Sequence, residues 1–236
     1  MKLDRLLAKH RLMGRTQART LLLARRVRVD GEIETRFDTE VDRFSAVLVD
    51  DEIVQPAARR LYLMLHKPVG VVSATSDAEH RTVLDLIDDP DKDTLHLVGR
   101  LDRNTSGLVL LTNDGRWSKA LMHPDKKVAK VYRVTTRDPI APDAVAAFAE
   151  GFYFHTEDLT TQPAHLEILT AHTARLTLHE GRYHQVKRMF HRIQNRVTAL
   201  HRESIGDYVL PEDLPPGEWR MVPESANETA RSSPCS

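Results

Sequence analysis

Three polar clusters hold the groups in this sequence best suited to chemistry: GRLDRNTSG at 99–107, KKVAKVYRV at 126–134 and EGRYHQVKRMF at 180–190. In the first, Asp102 stands between Arg100 and Arg103. A carboxylate in a partly dry pocket drifts toward its protonated form, whereas a cation within hydrogen-bonding reach keeps it charged and fixes its direction. Such a carboxylate serves as a nucleophile or stabilises positive charge developing beside it. On its own, the stretch reads as an ordinary ion pair at a strand end. Tyr132, taken alone, reads as a core tyrosine on a strand that places Lys130, Tyr132 and Val134 on one face.

Other chemistries find no motif. The phosphate loops GxxxxGK[ST] and GxGxxG are both missing, and the twelve histidines never form HExxH. His184, His191 and His201 lack further ligands at metal spacing, so no metal site is expected. The hydroxyls of Thr105 and Ser106 have no histidine in a nucleophile-elbow context and read as turn residues. The single cysteine, Cys235, has no partner for a disulfide. No run of about 18 apolar residues suggests a membrane span, and the charged N-terminus does not fit a signal peptide, so a cytoplasmic protein is expected.

The elements that must position these clusters divide the 236 residues in two. Residues 1–58 read as a small helical unit closed by a hairpin. Leu3, Leu6 and Leu7 fit a first helix, Gly14 breaks it, and Thr16–Arg26 form a second with Arg15 and Arg19 on an outward face. Asp30-Gly31 is a hairpin turn, AVLVDDEIV a later strand, and Pro56–Arg60 a linker. Residues 59–223 read as an α+β domain on a largely antiparallel, mixed sheet with flanking helices. Its expected strands are YLMLHKP, GVVSA, LHLVGRLD reaching Asp102, GLVLLT, KVYRVTT and ARLTLHEG. A helix over Tyr183–Ile193 turns Val186, Phe190 and Ile193 inward and Lys187, Arg188 and Arg192 outward. Residues 224–236 are expected to be a disordered tail.

Formal net charge is zero, yet the charges are segregated. Residues 1–28 hold nine Lys and Arg against Asp4 alone, and residues 182–202 hold six cations and no acid. Two such blocks are the footprint of a polyphosphate partner, although either alone is compatible with a solvated helix face.

Taken together and in order, the three clusters resemble the pseudouridine synthases, and within them the RsuA family. KPVGVVS, LVLLTNDGRWS, EDLTTQPAHLEI and LHRESIG extend the resemblance over nearly the whole chain. The first 50 residues resemble the αL-type RNA-binding domain through Leu3-Asp4, Arg15-x-x-Ala18 and VRVDGEI, with Gly14 and Ala24 as departures. The resemblance implies isomerisation of a uridine to pseudouridine without cofactor or metal, with Asp102 as nucleophile. It further implies that Arg182 pairs with Asp102 and that Tyr132 stacks on the extruded base and assists proton removal. Arg100 is implied near the vacated base, and Leu200 closes the pocket over the target. Arg103, Lys130, Lys187, Arg188, Arg15 and Arg19 are expected on the RNA. The implied substrate is the uridine at position 516 of 16S rRNA, naked or in a small-subunit assembly intermediate, and the implied enzyme is a monomer. A 23S rRNA uridine, a nucleoside hydrolase and an RNA-binding module without activity are the rival readings.

Overall fold

The computed structural model describes residues 1–10 and 14–225 and separates the chain into two compact units, the first ending at Arg60 and the second starting at Leu61. In the first unit, helices α1 (Leu3–His10) and α2 (Arg15–Leu23) accompany a four-stranded sheet. Its strands are β1 (Val27–Val29), β2 (Glu32–Ile33), β3 (Val47–Val49) and β4 (Glu52–Gln55), in the order β2-β1-β3-β4. Asp30 and Gly31 take φ of 52° and 90°, as the tight hairpin at DG requires. The stretch AVLVDDEIV is a hairpin rather than one strand, because Asp50 and Asp51 both adopt positive φ and turn the chain back. Leu3, Leu7, Ala18, Leu22, Val27, Val47 and Val54 form the small core. Gly14 has no side chain to cap α2, and the Gln17 side chain accepts its N–H at 3.2 Å instead.

The second unit is built on a nine-stranded mixed sheet. Its main path runs β11 (His165–Thr170), β12 (Thr173–Leu178), β8 (Lys130–Thr136), β13 (Val197–Ile205), β7 (Ser106–Thr112), β5 (Tyr62–Lys67) and β15 (Trp219–Met221). Strand β6 (His96–Val98) pairs with β7, and β14 (Tyr208–Val209) with β13. Strands β9 (Tyr153–Phe154) and β10 (Leu159–Thr160) form a separate hairpin. All ladders on the main path are antiparallel except β13 with β7. Alternation sorts the core onto two faces. Leu63, Leu65, Val109 and Leu111 join Tyr132, Val134, Leu176 and the helices α4 (Ala144–Glu150) and α5 (Gln185–Arg192) on one side. Tyr62, Met64, Leu108 and Leu110 meet Trp117 of α3 (Gly115–Met122) on the other.

In the second unit, four sequence expectations change. GVVSA is not a strand; only Val72 makes an isolated bridge, to Thr82. The strand before Asp102 stops at Val98, because Gly99 turns the chain at φ 79° and leaves Asp102 in a loop. Ser106 and Gly107 belong to β7 rather than to a turn. A Cβ at Gly107 would lie 2.3 Å from the Arg202 carbonyl oxygen, so the close parallel approach of β13 requires glycine there. Finally, the segment at 224 is anchored, since the Glu224 carbonyl accepts from the Trp117 indole at 2.7 Å. The remaining expected tail, 226–236 with Cys235, lies outside the described residues.

The cations of α2 have a structural duty. Asp4 is fully buried, and its Oδ2 accepts from Arg15 at 3.2 Å and from Arg19 Nη2 at 3.1 Å. Burial pushes its carboxyl up, but the hydrogen bonds from Arg19 and Arg15 outweigh this and hold it below the usual carboxylate value of 3.8. A folded-state pKa below the unfolded one stabilises above the unfolded value and is lost as pH falls through the folded one. Stability of the first unit should therefore decline as pH drops below about 4, the ordinary carboxylate range. Asp4→Ala should remove that dependence and cost about 1–3 kcal/mol, read as faster amide exchange in α1 and α2 at neutral pH.

Candidate active site

Asp102 sits in the loop 99–105, whose backbone is fixed from below. Lys67, at the end of β5, is fully buried, and its ammonium donates to the carbonyls of Pro68 (3.0 Å), Arg103 (3.3 Å) and Thr105 (2.7 Å). From β13, the buried guanidinium of Arg202 donates to the carbonyls of Leu108 (2.8 Å) and Arg100 (3.3 Å). Gly107 lies between these residues in register, opposite Lys67 on one side and Arg202 on the other. The Ser73 hydroxyl donates to the Leu101 carbonyl at 2.7 Å and accepts the Leu101 N–H at 3.0 Å. A turn from Thr105 N–H to the Asp102 carbonyl closes the loop.

The Asp102 carboxylate, about one third exposed, meets the first turn of α5. Lys187 Nζ donates to Oδ2 at 2.8 Å, and His184 Nε2 lies 3.4 Å from Oδ1. His184 is the residue that precedes α5, held at φ 49°, and Lys187 lies in the first turn of the helix. Asp102, Tyr132, Thr105, Leu200, Arg100, Arg182, His184 and Lys187 all line one small cavity of about 70 Å³. It borders a groove of about 1010 Å³ through the shared residues Lys187 and Leu200, with Asn104, Arg137, His191 and Arg196 among the groove's other walls.

The expected partner of Asp102 is corrected. Arg182 lines the cavity, but its Nε donates to Glu180 at 3.0 Å, a carboxylate two residues away across Gly181. Lys187, expected to face outward onto RNA, supplies the cation instead. Arg188 is likewise occupied, forked onto Glu157 at 2.7 Å and set over the Phe154 ring at 3.7 Å. Arg103 braces the loop, with Nε donating to the Gly70 carbonyl at 3.2 Å and Nη1 3.0 Å from His80 Nε2. Lys130 is not among the cavity residues, and its ammonium donates to the Val128 carbonyl at 3.3 Å. Tyr132 and Leu200 are buried at the cavity, while Arg100 is exposed at it. Arg202, counted in the basic block 182–202, is buried, and Lys67 reads from the sequence only as the end of a strand. The one sequence signal for Lys67 is a cation closing the largely apolar strand YLMLHK.

Residues 61–192 match the RNA pseudouridylate synthase family. The chain belongs to that family. Its members convert uridine in RNA to pseudouridine, so this chain is an RNA-modifying isomerase. It is 50% identical over 222 residues to the ribosomal small subunit pseudouridine synthase A of Pseudomonas aeruginosa, covering 94% of this chain and 96% of that protein. The Escherichia coli K12 protein of the same name is 42% identical, with 95% and 97% covered. A crystal structure of a pseudouridylate synthase superposes with a TM-score of 0.70 at 39% identity, covering 97% of this chain and 98% of that one. Among the described residues of this synthase, no helix is long and apolar enough to cross a membrane.

Burial and the nearby Arg202 push the Lys67 ammonium down to about 8, against the opposing pull of Asp102. An ammonium has three donors for its three carbonyls, whereas the neutral amine has two. One of these three carbonyls, two of which belong to the loop, therefore loses its partner above that pH. Turnover should fall along an alkaline limb with its midpoint near 8. Lys67→Met should already be slow at pH 7, with no such limb. Both are checked by initial rates from pH 6 to 10.

Proposed function

We propose that this synthase isomerises a uridine of small-subunit rRNA, the one at position 516 of 16S rRNA, with Asp102 as nucleophile. The observation that carries the assignment is the 2.8 Å bond from Lys187 to Asp102 in a cavity that Tyr132 also lines. Pseudouridine formation breaks the carbon–nitrogen glycosidic bond, turns the base and rejoins it through carbon 5, with no atom gained or lost. The developing positive charge on the sugar calls for a carboxylate, and Lys187 holds the Asp102 oxygens in one direction. Tyr132, on the floor formed by β8, stacks on the extruded base and takes part in removing the carbon 5 proton. Leu200 covers the base, and Arg182 is a catalytic-site cation that can exchange Glu180 for substrate. Arg100 and Arg103 lie on the loop that meets the RNA.

The names of the relatives at 50% and 42% identity support the small-subunit target. The first unit, residues 1–58, docks RNA as an αL-type domain through the basic stretch 1–28, with Arg15 and Arg19 still about half exposed beyond their bonds to Asp4. We assign residues 59–223 to catalysis, monomeric action to the enzyme, and the cytoplasm, where rRNA is assembled, as its location.

Asp102→Asn keeps the shape of the side chain without its charge. Tritium release from carbon 5 of unmodified 16S rRNA should fall more than 100-fold, about 2.7 kcal/mol of barrier, while RNA affinity holds. Turnover above a hundredth of wild type would remove Asp102 from the nucleophile role. Tyr132→Phe should bind normally but turn over slower by about two orders of magnitude, the scale of a lost proton-transfer group. Wild-type speed in this variant would leave Tyr132 a stacking role only.

A further inference from the structure

The segment between Glu180 and α5 carries an aromatic pair that the chemistry above does not use. The rings of Tyr183 and His184 are stacked, with centroids 3.9 Å apart and planes 20° from parallel. His184 faces the catalytic carboxylate, with Nε2 3.4 Å from Asp102 Oδ1, whereas Tyr183 is 76% exposed. A lone exposed tyrosine calls for no explanation. This one is mounted. Its carbonyl accepts from Arg188 Nη1 at 3.3 Å, and Arg188 is itself clamped by Glu157 and Phe154. The next residue, His184, is held at φ 49°, a conformation uncommon for residues other than glycine. On the near side, the buried Gln185 accepts the Arg182 N–H at 3.0 Å and donates to Glu180 at 2.7 Å, while Glu180 also accepts the Gln162 N–H at 3.0 Å. The backbone that carries the ring is thus held on both sides, and the ring rests on His184, beside Asp102 on an enzyme whose substrate is RNA.

We propose that the Tyr183–His184 stack is a nucleobase platform that receives the base next to the extruded uridine. A uridine leaving its stack exposes the face of its neighbour, and an aromatic ring at the rim of the pocket replaces the lost stacking. Stacking is tolerant of sequence because every base has a π face, so the platform fixes the position of the strand rather than reading its letters. A ring already stacked on His184 from a held backbone loses less freedom on binding than a free side chain would. The histidine links the two places: one side of the stack touches the carboxylate that attacks the target, and the other offers Tyr183 to the adjoining nucleotide. This inference rests on the catalytic assignment of Asp102 but not on which rRNA carries the target.

The test compares the full-length wild type with Tyr183→Ala and Tyr183→Phe on unmodified rRNA transcripts of both subunits, by tritium release from carbon 5. Alanine should raise KM about tenfold with kcat within about twofold, and phenylalanine should restore KM, since it keeps the ring. Two 16S rRNA fragments, with 2-aminopurine one nucleotide to the 5′ or to the 3′ side of the uridine, supply the direct reading. Wild type and the phenylalanine variant should quench one of them on binding, and the alanine variant neither. An unchanged KM in the alanine variant, or quenching that persists in it, overturns the platform. A wild type that releases tritium only from the large-subunit transcript tells against the small-subunit target alone; the KM comparison then decides the platform on that transcript, with 2-aminopurine placed beside its own uridine.

Discussion

Two buried cations hold the centre of this enzyme together. The Lys67 ammonium and the Arg202 guanidinium lie on either side of Gly107, and among the described residues their hydrogen bonds all go to backbone carbonyls. A charge removed from water is costly unless it is well bonded, so any conformation of loop 99–105 that withdraws these carbonyls strands a cation in the core. The loop is thereby held where the carbonyls of Arg100, Arg103 and Thr105 keep these bonds. The geometry of the cavity is inherited from that constraint, because Asp102 is the residue the pinned backbone displays to α5. Glycine at 107 is part of the same device, since it lets the backbone of β13 approach closely enough for Arg202 to reach across.

Much of this architecture was legible in the sequence, for identifiable reasons. Strands β5 and β7 alternate so regularly between the two cores that Leu63, Leu65, Val109 and Leu111 could be sorted from Met64, Leu108 and Leu110 by parity alone. The α5 segment placed Val186 and Phe190 inward by helical period, and the hairpin at Asp30-Gly31 followed from turn chemistry. The cavity gathers Asp102, Tyr132, Arg182, Lys187 and Leu200 from four separate segments, all of which the motifs had marked.

What could not be read was which cation meets which carboxylate. Arg182 and Lys187 sit five residues apart in one basic stretch, and nothing in their order says that Gly181 folds Arg182 back onto Glu180. Periodicity turned Lys187 toward solvent, which is correct for a helix alone. The loop carrying Asp102 lies where the solvent would have been. Lys67 was hidden for the opposite reason, since the rule that lysines are exposed fails where backbone carbonyls replace water. Likewise, alternation through LHLVGRLD suggested an unbroken strand, and only the positive φ of Gly99 reveals the corner.

The parallel ladder between β7 and β13 joins residues 106 and 107 to residues 201 and 202, across nearly half the chain. Contacts of such separation form only after a long loop has closed, so they come late as a chain folds. During synthesis, Asp102 and Tyr132 emerge well before the arginine that completes the floor beneath them. A nascent or truncated chain ending before β13 would carry every family motif up to KRMF and still possess no assembled centre. The fold thereby couples competence to synthesis: the centre cannot assemble until the chain through β13 has been made.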